Sequence, residues 1–351
     1  MKPWETNFRK VVPYVPGEQP QCGDMIKLNT NENAYPPAPK VMEALESVQT
    51  EKMKLYPDYQ STKLVRSLAE YYKVGENQVF VGVGSDDVLA VCFLSFFNSK
   101  KPILFPDITY SFYKVWAELY HIPYECPKLN SEFRINKEDY YKENGGVVIA
   151  NPNAPTSLYE SVDWIRDIVD HNQESIVIID EAYIDFAGES ALSLVNEYEN
   201  LLIVQTFSKS RAMAGMRIGY AIGNERLIKI LNDVKYSINS YTMNMTAIEL
   251  GAAAVEEADY YKKTTAQIIQ TREAAKLRLR NLGFEVLDSA TNFLFVSHKT
   301  VAAKEIFEYL KEKKIFVRYF GGDRIKNYLR ITIGTPEQME ALYQELGGIV
   351  K

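Results

Sequence analysis

A lysine between two serines follows the apolar run LLIVQTF, within the segment TFSKSRAMAGMRIGY at residues 206–220. Another apolar run, IVII, ends directly in Asp180. In an open α/β sheet the ligand binds at the carboxyl ends of the strands, so Asp180 and Lys209 are candidates for one shared site. Either side chain alone could equally be a solvated loop charge or one half of a structural ion pair.

The chemistry that suits Lys209 is formation of a Schiff base with an aldehyde. A lysine normally has a pKa of about 10.4, and this chemistry requires burial or a cationic neighbour to lower that value. Arg217 is the candidate neighbour, because Gly215 permits a tight turn that brings its guanidinium back toward the lysine. Ser208 and Arg217 offer a hydroxyl and a bidentate donor, which suit a phosphate. The residues therefore predict a phosphorylated aldehyde as ligand.

Composition and charge narrow the class of protein. A chain of 351 residues with 46% hydrophobic and 25% charged residues is typical of a soluble globular protein of two domains. The longest apolar run, VLAVCFLSFF, is too short to cross a bilayer, and the first residues lack the apolar region of a signal peptide. We therefore expect a cytoplasmic protein without membrane segments.

Metal and nucleic-acid binding find little support in the sequence. Cys22, Cys92 and Cys126 are far apart, and the three histidines have no ligand-like neighbours, so no disulfide framework and no metal site are predicted. The net charge of −6 argues against a broad nucleic-acid surface. Small molecules are the expected partners.

The elements that must position these side chains follow from the pattern of apolar residues. From about residue 60 to 240, strand-like runs alternate with helical patterns, which is typical of βαβ units and a largely parallel sheet. Helices are predicted to open at Ser61 or Thr62 and at Ser161. The predicted strands are VFVGV, ILF, VVIA, IVIID, LLIVQTF and RIGYAIG.

Beyond residue 240 the pattern changes to a long charged helix and then to short strands with helices between them. The strand-like runs there are FEVL, NFLFVS, IFVRYF and YLRITIGT. This pattern indicates a smaller α+β domain. We predict an N-terminal arm at 1–28, a large domain at 29–240 and a small domain at 241–351.

A series of motifs resembles the fold-type I pyridoxal-phosphate enzymes, and specifically the histidinol-phosphate aminotransferases. The motifs are LNTNENAYPPAP, LYPDYQS, FVGVGSDD, FPDITYSFYK, NPNAPTS, IDEAYIDF, TFSKSRAMAGMRIGY, VRYF and YLRITIGT. Each is weak alone, but together they follow the family's order over nearly the whole chain. The resemblance implies an α/β fold with a mostly parallel seven-stranded sheet between helices in the large domain, plus the smaller α+β domain.

The resemblance also implies pyridoxal 5'-phosphate as cofactor. Lys209 would hold it as a Schiff base, Asp180 would pair with its pyridine nitrogen, and Tyr183 would bond its phenolic oxygen. Tyr110 would stack on the ring. The phosphate would lie at a helix start, where free N–H groups and the helix dipole favour an anion. Its ligands would be Gly84, Ser85, Asp86, Ser208, Arg217 and, from the neighbouring subunit of a homodimer, Tyr56.

One motif departs from the family pattern. The family reads NPNNPTG where this chain reads NPNAPTS, so Ala154 replaces the asparagine that contacts the cofactor ring oxygen, and Ser157 replaces the last glycine. Asn153 is adjacent to Ala154 and could supply the contact. Alternatively, Tyr183 could carry it alone, and the sequence leaves both open.

The reaction that the resemblance implies is transamination between L-histidinol phosphate and 2-oxoglutarate, giving imidazole acetol phosphate and glutamate in histidine biosynthesis. Both substrates are anions, so arginines that accept carboxylate and phosphate are expected. Arg318 in VRYF and Arg330 in YLRITIGT fit this role, and Tyr14 of the arm resembles the family tyrosine that closes over the substrate.

Other functions remain open from the sequence. Aromatic aminotransferases and threonine-phosphate decarboxylases share most of these motifs. A pyridoxal-phosphate-binding regulatory protein usually carries a fused DNA-binding segment, and the arm has no helix-turn-helix pattern. A nicotinamide-dependent dehydrogenase is disfavoured, because GVGSDD lacks the third glycine of the dinucleotide fingerprint.

Overall fold

The computed structural model describes residues 2–21 and 23–350, and all bounds below refer to these residues. The strands are β1 (Ile26–Lys27), β2 (Val79–Gly82), β3 (Ile103–Leu104), β4 (Tyr124–Glu125), β5 (Gly146–Ala150), β6 (Val177–Asp180), β7 (Leu201–Thr206), β8 (Gly219–Gly223), β9 (Phe284–Val286), β10 (Phe293–His298), β11 (Ile315–Phe316), β12 (Arg318–Tyr319) and β13 (Leu329–Thr332). The α-helices are α1 (Pro39–Glu46), α2 (Thr62–Tyr72), α3 (Ser85–Phe96), α4 (Phe112–Tyr120), α5 (Val162–Asp170), α6 (Glu225–Ile238), α7 (Met245–Glu256), α8 (Ala258–Asn281), α9 (Ala303–Glu312) and α10 (Pro336–Ile349).

A seven-stranded sheet forms the centre of the large domain, in the order β2-β8-β7-β6-β5-β3-β4. Strand β8 runs antiparallel to β2 and β7, and the other neighbours are parallel. This confirms the predicted fold class and all six strands predicted from apolar runs. The register places Ala150 beside Asp180 and Asp180 beside Val204, so β5, β6 and β7 end at one edge of the sheet.

The small domain contains a four-stranded antiparallel sheet in the order β12-β13-β10-β9. Its buried face packs with α8, α9 and α10 through a cluster that includes Leu279, Leu310 and Leu346. A two-stranded parallel sheet, β1 with β11, attaches the start of the chain to this domain. The later strands therefore form the α+β unit that the sequence indicates.

The predicted division at residues 28 and 240 stays a prediction, and the packing bears on both boundaries. Leu28 belongs to the apolar core of the small domain. Ala247 and Ile248 of α7 pack in the core of the large domain with Leu64. Helix α8 belongs to both cores, because its first turn contributes Tyr261 to the large core and its later turns contribute buried leucine and isoleucine to the small core.

The two predicted helix starts differ in how they are capped. Ser161 caps α5 as predicted, since its Oγ accepts a hydrogen bond of 3.2 Å from the Trp164 amide. Ser61 takes a left-handed φ of 53° and its side chain makes no cap bond. The Asp58 carboxylate caps α2 in its place, accepting from the Thr62 amide at 2.7 Å. The capping residue Asp58 lies three positions before Ser61, in the preceding turn, so it is harder to predict from the sequence.

No helix among residues 2–21 and 23–350 is long and apolar enough to cross a membrane. Within the same ranges no group of three His, Cys, Asp or Glu side chains is arranged to hold a metal ion. Cys92 is buried and Cys126 is half-buried, and both are free thiols. Cys22 lies outside the described residues.

Candidate active site

A cavity of about 320 Å³ opens at the carboxyl ends of β5, β6 and β7. It brings together eleven of the fourteen site residues expected from the sequence. The three that do not line it are Gly84, Asn153 and Tyr56. The eleven that line it are Tyr14, Ser85, Asp86, Tyr110, Asp180, Tyr183, Ser208, Lys209, Arg217, Arg318 and Arg330.

Asp180 ends β6 inside this cavity and is 5% exposed. Its Oδ2 accepts a hydrogen bond of 2.7 Å from Tyr113 Oη, and its Oδ1 accepts one of 3.1 Å from the Ala182 amide. Burial raises the pKa of the Asp180 carboxyl to about 6, and these two hydrogen bonds oppose the rise. A buried carboxylate of this kind is stabilised by any cationic N–H group that approaches it.

Lys209 follows β7 and reaches the same cavity. Its Nζ donates to the carbonyl oxygen of Thr30 at 3.3 Å and lies 5.6 Å from the centre of the Tyr183 ring. The Lys209 carbonyl accepts a bond of 2.8 Å from the side chain of Asn33. The segment before α1 therefore holds both the backbone and the amine of the lysine in place.

Tyr183 is held by Asn31, a residue that the sequence analysis did not single out. Asn31 Nδ2 donates to Tyr183 Oη at 2.8 Å, and Asn31 Oδ1 accepts from Thr332 Oγ1 at 3.1 Å. The edge of the Tyr183 ring meets Phe293 at 5.1 Å between centroids. Asn31 could have been noticed from the sequence, because it lies in LNTNENAYPPAP, one of the motifs that carry the family resemblance.

An anion cradle lies where α3 begins. Gly84 precedes the helix with a φ of 86°, and a Cβ at Gly84 would lie 2.5 Å from Arg217 Nη2. A Cβ at Gly219 would lie 2.3 Å from the Gly84 backbone, so the two glycines permit this close approach. Arg217 Nη1 donates to Ser208 Oγ at 3.4 Å. A hydroxyl, a guanidinium and a helix N-terminus around one space suit a phosphate.

Asp86 places a carboxylate at the edge of this cradle, and two neighbours engage it. Tyr110 Oη donates to Asp86 Oδ1 at 2.7 Å, and Arg217 Nη2 donates to Oδ2 at 3.3 Å. These bonds fix the Tyr110 ring at the cavity wall. Because the Asp86 side chain is used in these bonds, the part of α3 that suits an anion is its first backbone N–H groups, beside Ser208 and Arg217.

The opposite end of the cavity is cationic. Arg330 Nη2 donates to the Asn29 carbonyl at 3.0 Å, whereas its buried Nε has no hydrogen-bond partner among residues 2–21 and 23–350. Burial lowers the pKa of the Arg330 guanidinium, and the nearby Arg318 lowers it further. Arg318 donates to the carbonyls of Val15 and Pro16 at 3.4 and 3.5 Å. An unpaired N–H beside a second guanidinium is suited to an anionic substrate.

Tyr14 lies at this cationic end, in the arm that crosses the cavity. Its ring stacks on Phe112 with centroids 4.2 Å apart. A second cavity of about 450 Å³ lies beneath the arm and shares five wall residues with the first. The shared residues are Tyr14, Tyr110, Ala154, Arg318 and Arg330.

Asn153 and Tyr56 lie away from the cavity. Asn153 Nδ2 donates to the Ile108 carbonyl and to Thr156 Oγ1, both at 2.9 Å, and its Oδ1 accepts from Thr109 at 2.7 Å. Its amide is therefore used by the loop after β3 and by its own loop. Tyr56 is 81% exposed and stacks on Tyr241 at 4.6 Å, on the outer surface of this chain.

The family model for aminotransferases of class I and II matches residues 23–346. The histidinol-phosphate aminotransferase of Clostridium beijerinckii is 49% identical over 345 residues, which cover 98% of this chain and 96% of that protein. That of Lactococcus lactis subsp. cremoris is 48% identical over 348 residues, covering 99% and 98%.

Solved structures give the same fold. The histidinol-phosphate aminotransferase of Sinorhizobium meliloti, in complex with pyridoxal-5'-phosphate, superimposes with a TM-score of 0.85 at 22% identity and covers 93% of this chain and 90% of that chain. At this identity the likeness supports the fold, while the curated relatives support the family. Both confirm the resemblance read from the motifs. The chain therefore belongs to the pyridoxal-phosphate-dependent aminotransferases of class I and II, and within them to the histidinol-phosphate aminotransferases.

Proposed function

We propose that the protein catalyses transamination between L-histidinol phosphate and 2-oxoglutarate, giving imidazole acetol phosphate and glutamate in histidine biosynthesis. The observation that carries this proposal is the meeting, in one cavity, of Lys209 and Asp180 with the unpaired Nε of Arg330 and the adjacent Arg318. The first pair suits amine chemistry on a cofactor, and the second suits an anionic substrate. The names and near-complete coverage of the relatives support the same reaction.

The residues of the cavity fit pyridoxal phosphate. When bound, this cofactor draws electrons from the substrate carbon and so makes loss of its proton possible. The Asp180 carboxylate would accept a hydrogen bond from the pyridine N–H, and Tyr113 and Ala182 already orient this carboxylate. The cradle of Ser208, Arg217 and the start of α3 would hold the phosphate, and the absence of a side chain at Gly84 lets the Arg217 guanidinium lie against the start of the helix.

The contact to the cofactor ring oxygen is best assigned to Tyr183. Asn31 orients the Tyr183 hydroxyl, whereas the amide of Asn153 is occupied by Ile108, Thr109 and Thr156. Ala154 lines the cavity but offers no polar side-chain atom. Of the two alternatives that the sequence leaves open, we therefore propose that Tyr183 carries this bond alone.

Lys209 Nζ is the proposed proton-moving base. It reaches the cavity from the end of β7, and the Thr30 carbonyl holds it at 3.3 Å on the side of Tyr183. With cofactor and substrate bound, the Nζ would be placed to take the proton from the substrate carbon that bears the amine and to deliver it again within the same site. The arm, with Tyr14 against Phe112, would limit access of water during this transfer.

The direct test of this function uses the purified protein and three amino donors side by side. We expect 2-oxoglutarate-dependent formation of glutamate to be fastest by far with histidinol phosphate, compared with phenylalanine. Release of carbon dioxide from threonine phosphate, or a higher kcat/KM for phenylalanine, would replace the proposal by one of the two related enzyme activities. Cofactor binding without turnover of any donor would favour the regulatory class.

Arg318→Ala should lower kcat/KM for histidinol phosphate by about 30-fold or more. The proposed reason is that removing one partner of a desolvated charge pair typically costs about 2 to 5 kcal/mol. Histidinol lacks the phosphate, so its already low kcat/KM should change little. Steady-state kinetics of two enzymes with two substrates give the four values required.

The role of Arg318 is decided by whether the substitution changes the ratio of kcat/KM for histidinol phosphate to kcat/KM for histidinol. If Arg318 serves only to hold the arm through Val15 and Pro16, the substitution should lower kcat/KM for both substrates by the same factor. An unchanged ratio would remove Arg318 from the phosphate site. A surface ion pair with Asp323 would be another purely structural role for Arg318. In the structure, Asp323 pairs instead with Lys326, at 3.9 Å.

We further propose that the protein works as a cytoplasmic homodimer with shared active sites. Tyr56 is 81% exposed, follows Leu55, which is 63% exposed, and stacks on Tyr241, which is 44% exposed. An exposed apolar group of this kind is typical of a surface that a partner covers. In a two-fold dimer, Tyr56 would reach the phosphate cradle of the other subunit.

Mixed dimers of two inactive variants, Lys209→Ala and Tyr56→Ala, should regain activity. A hybrid has one complete site, because the Lys209→Ala subunit supplies Tyr56 to the intact lysine of its partner. Random reassortment should restore about a quarter of wild-type activity, since half of the dimers are hybrids with one good site each. Activity is measured after co-expression of the two chains.

The matched control for this experiment pairs Lys209→Ala with Asp180→Asn. Asp180 and Lys209 line the cavity of the same chain, so in this hybrid one site lacks the lysine and the other lacks the aspartate. Activity should therefore stay near the level of the two variants alone. Equal recovery in both mixtures, or a fully active monomer, would contradict the shared site.

A further inference from the structure

A separate apolar cluster joins the two domains beside the substrate end of the cavity. We call it the seam cluster, and its buried members are Ile108, Leu129, Phe133, Leu158 and Phe295. Phe295 lies on β10 of the small domain, whereas the other four belong to the large domain. Phe320, Ile325 and Tyr328, from the segment 320–328 between β12 and β13, pack against it. The segment therefore contacts the large domain directly.

Aromatic contacts give the seam cluster a defined geometry. Phe133 meets Phe295 edge to face at 5.9 Å and Tyr328 at 5.2 Å, and Phe295 stacks on Tyr328 at 4.7 Å. Such pairs stabilise a contact beyond the effect of their buried area. The seam is thus a packed joint between the domains.

Arg324 adds a polar clamp to this joint. Its Nη1 donates to Asp107 Oδ2 at 2.6 Å, and its Nη2 donates to the carbonyls of Leu129 and Asn130 at 2.7 and 3.1 Å. The guanidinium also lies 5.9 Å from the centre of the Phe133 ring. Asp107 is itself fixed, because its Oδ1 accepts from the Leu129 amide at 2.9 Å. One side chain of the segment 320–328 therefore donates three hydrogen bonds to the large domain.

The clamp connects two groups of proposed functional residues. On one side, the segment 320–328 joins the strands that carry Arg318 and Arg330, which pair with each other in the β12-β13 register. On the other side, Asp107 lies in the loop that continues to Tyr110, whose ring forms a wall of the cavity. Arg324 itself does not line either of the two cavities.

We propose that Arg324 is a positioning residue for substrate binding: its clamp on Asp107, Leu129 and Asn130 sets where Arg318 and Arg330 stand relative to the cofactor site. This inference rests on the proposed function of those two arginines as substrate ligands. The residues proposed to hold the cofactor, apart from the loop of Tyr110, do not depend on the segment 320–328. The Tyr110 hydroxyl is also held by Asp86, so the clamp acts on substrate affinity and has little effect on cofactor affinity.

The test is Arg324→Gln in the holoenzyme. The KM values of both substrates should rise about threefold to tenfold, as expected for partly exposed charge-assisted bonds. The Kd of histidinol phosphate should rise by the same factor, measured by calorimetry with Lys209→Ala added to each protein so that no amino group is transferred. The kcat should stay within about twofold, and cofactor affinity, measured by visible absorbance, should not change. Amide hydrogen exchange in the segment 320–328 should become faster. Arg324→Lys should give intermediate values, because one ammonium cannot replace the two-armed contact.

Lys326→Gln is the matched control. Lys326 lies on the same segment, and its side chain is 64% exposed and pairs with Asp323 at 3.9 Å. This variant should leave the Kd, both KM values and amide exchange at their wild-type levels.

Two results would overturn the proposal. Unchanged exchange in the segment 320–328 of Arg324→Gln would mean that the clamp does not hold it. Faster exchange with an unchanged Kd for histidinol phosphate would mean that Arg324 stabilises the joint without positioning the substrate arginines. If the wild-type protein bound histidinol phosphate but transaminated nothing, the proposed function would fail, while Kd and exchange would still decide the role of Arg324.

Discussion

Lys209→Ala should abolish transamination, lowering kcat by about 10⁴-fold or more. In the proposed mechanism the substitution removes both the amine that attaches the cofactor and the base that moves the substrate proton, and each of these contributions is expected to be large. The cradle of Ser208 and Arg217 remains intact in this variant, so the cofactor should still bind. The measurement is single-turnover kinetics combined with visible absorbance.

Borohydride reduction identifies the lysine directly. In the wild-type protein it should fix the cofactor covalently on the peptide that contains Lys209, and in Lys209→Ala no such peptide should form. Lys209→Arg keeps a positive charge at this position but cannot form a Schiff base, so it should be as inactive as the alanine variant. A label on any other lysine, or turnover in either variant within tenfold of wild type, would remove Lys209 from the centre of the reaction.

Asp180→Asn should lower kcat by at least about 10² to 10³-fold, because a charge-assisted hydrogen bond to a developing charge is lost. Asparagine has nearly the same shape and can still accept the bond from Tyr113, so the fold should persist. Glu181→Gln is the matched control. Glu181 is equally buried but is bonded by Ser190, Ala191 and Gln205, away from the cavity. Its kcat should stay within a few fold, and near-normal turnover in Asp180→Asn would contradict the assignment.

The same residue predicts a pH effect on the protein without cofactor. Burial raises the pKa of Asp180 from 3.8 to about 6, so the folded state holds this proton more tightly than the unfolded state. The contribution of Asp180 to the free energy of unfolding should therefore fall as pH rises from about 4 to about 6, by about 3 kcal/mol, and then level off. Denaturant unfolding of wild type and Asp180→Asn across this range should show the difference move in favour of the variant. A constant difference would show that folding does not raise the pKa of Asp180.

The centre of the site could be predicted because its residues follow strands directly. Asp180 and Lys209 each come at the end of an apolar run, and parallel strands bring such ends together. Five strands of four to six residues were readable from their continuous apolar runs, and the two-residue β3 was readable because ILF is wholly apolar, whereas β4, Tyr124–Glu125, contains a charged residue and has no such run. The seven-strand count came from the family resemblance.

The supporting residues could not be predicted because their partners are distant in sequence. Asn31 donates to a tyrosine 152 positions away, and Tyr113 donates to an aspartate 67 positions away. Asn153 illustrates the opposite difficulty, since its place beside Ala154 gives no information about the direction of its amide. Ile108, in the loop after β3, and Thr156, in the loop after β5, decide that direction. Side-chain orientation in loops depends on contacts that spacing alone does not contain.

Helix α8 constrains how this architecture could have been assembled or exchanged during evolution. Its first turn completes the core of the large domain through Tyr261, and its later turns complete the core of the small domain through Ile268 and Leu279. A recombination event at residue 240 would separate α7 and Tyr261 from the core they fill, leaving an apolar cavity in one parent's large domain. A substitute small domain would therefore be inherited together with α8 and the surface that receives it, so the two cores evolve as one unit.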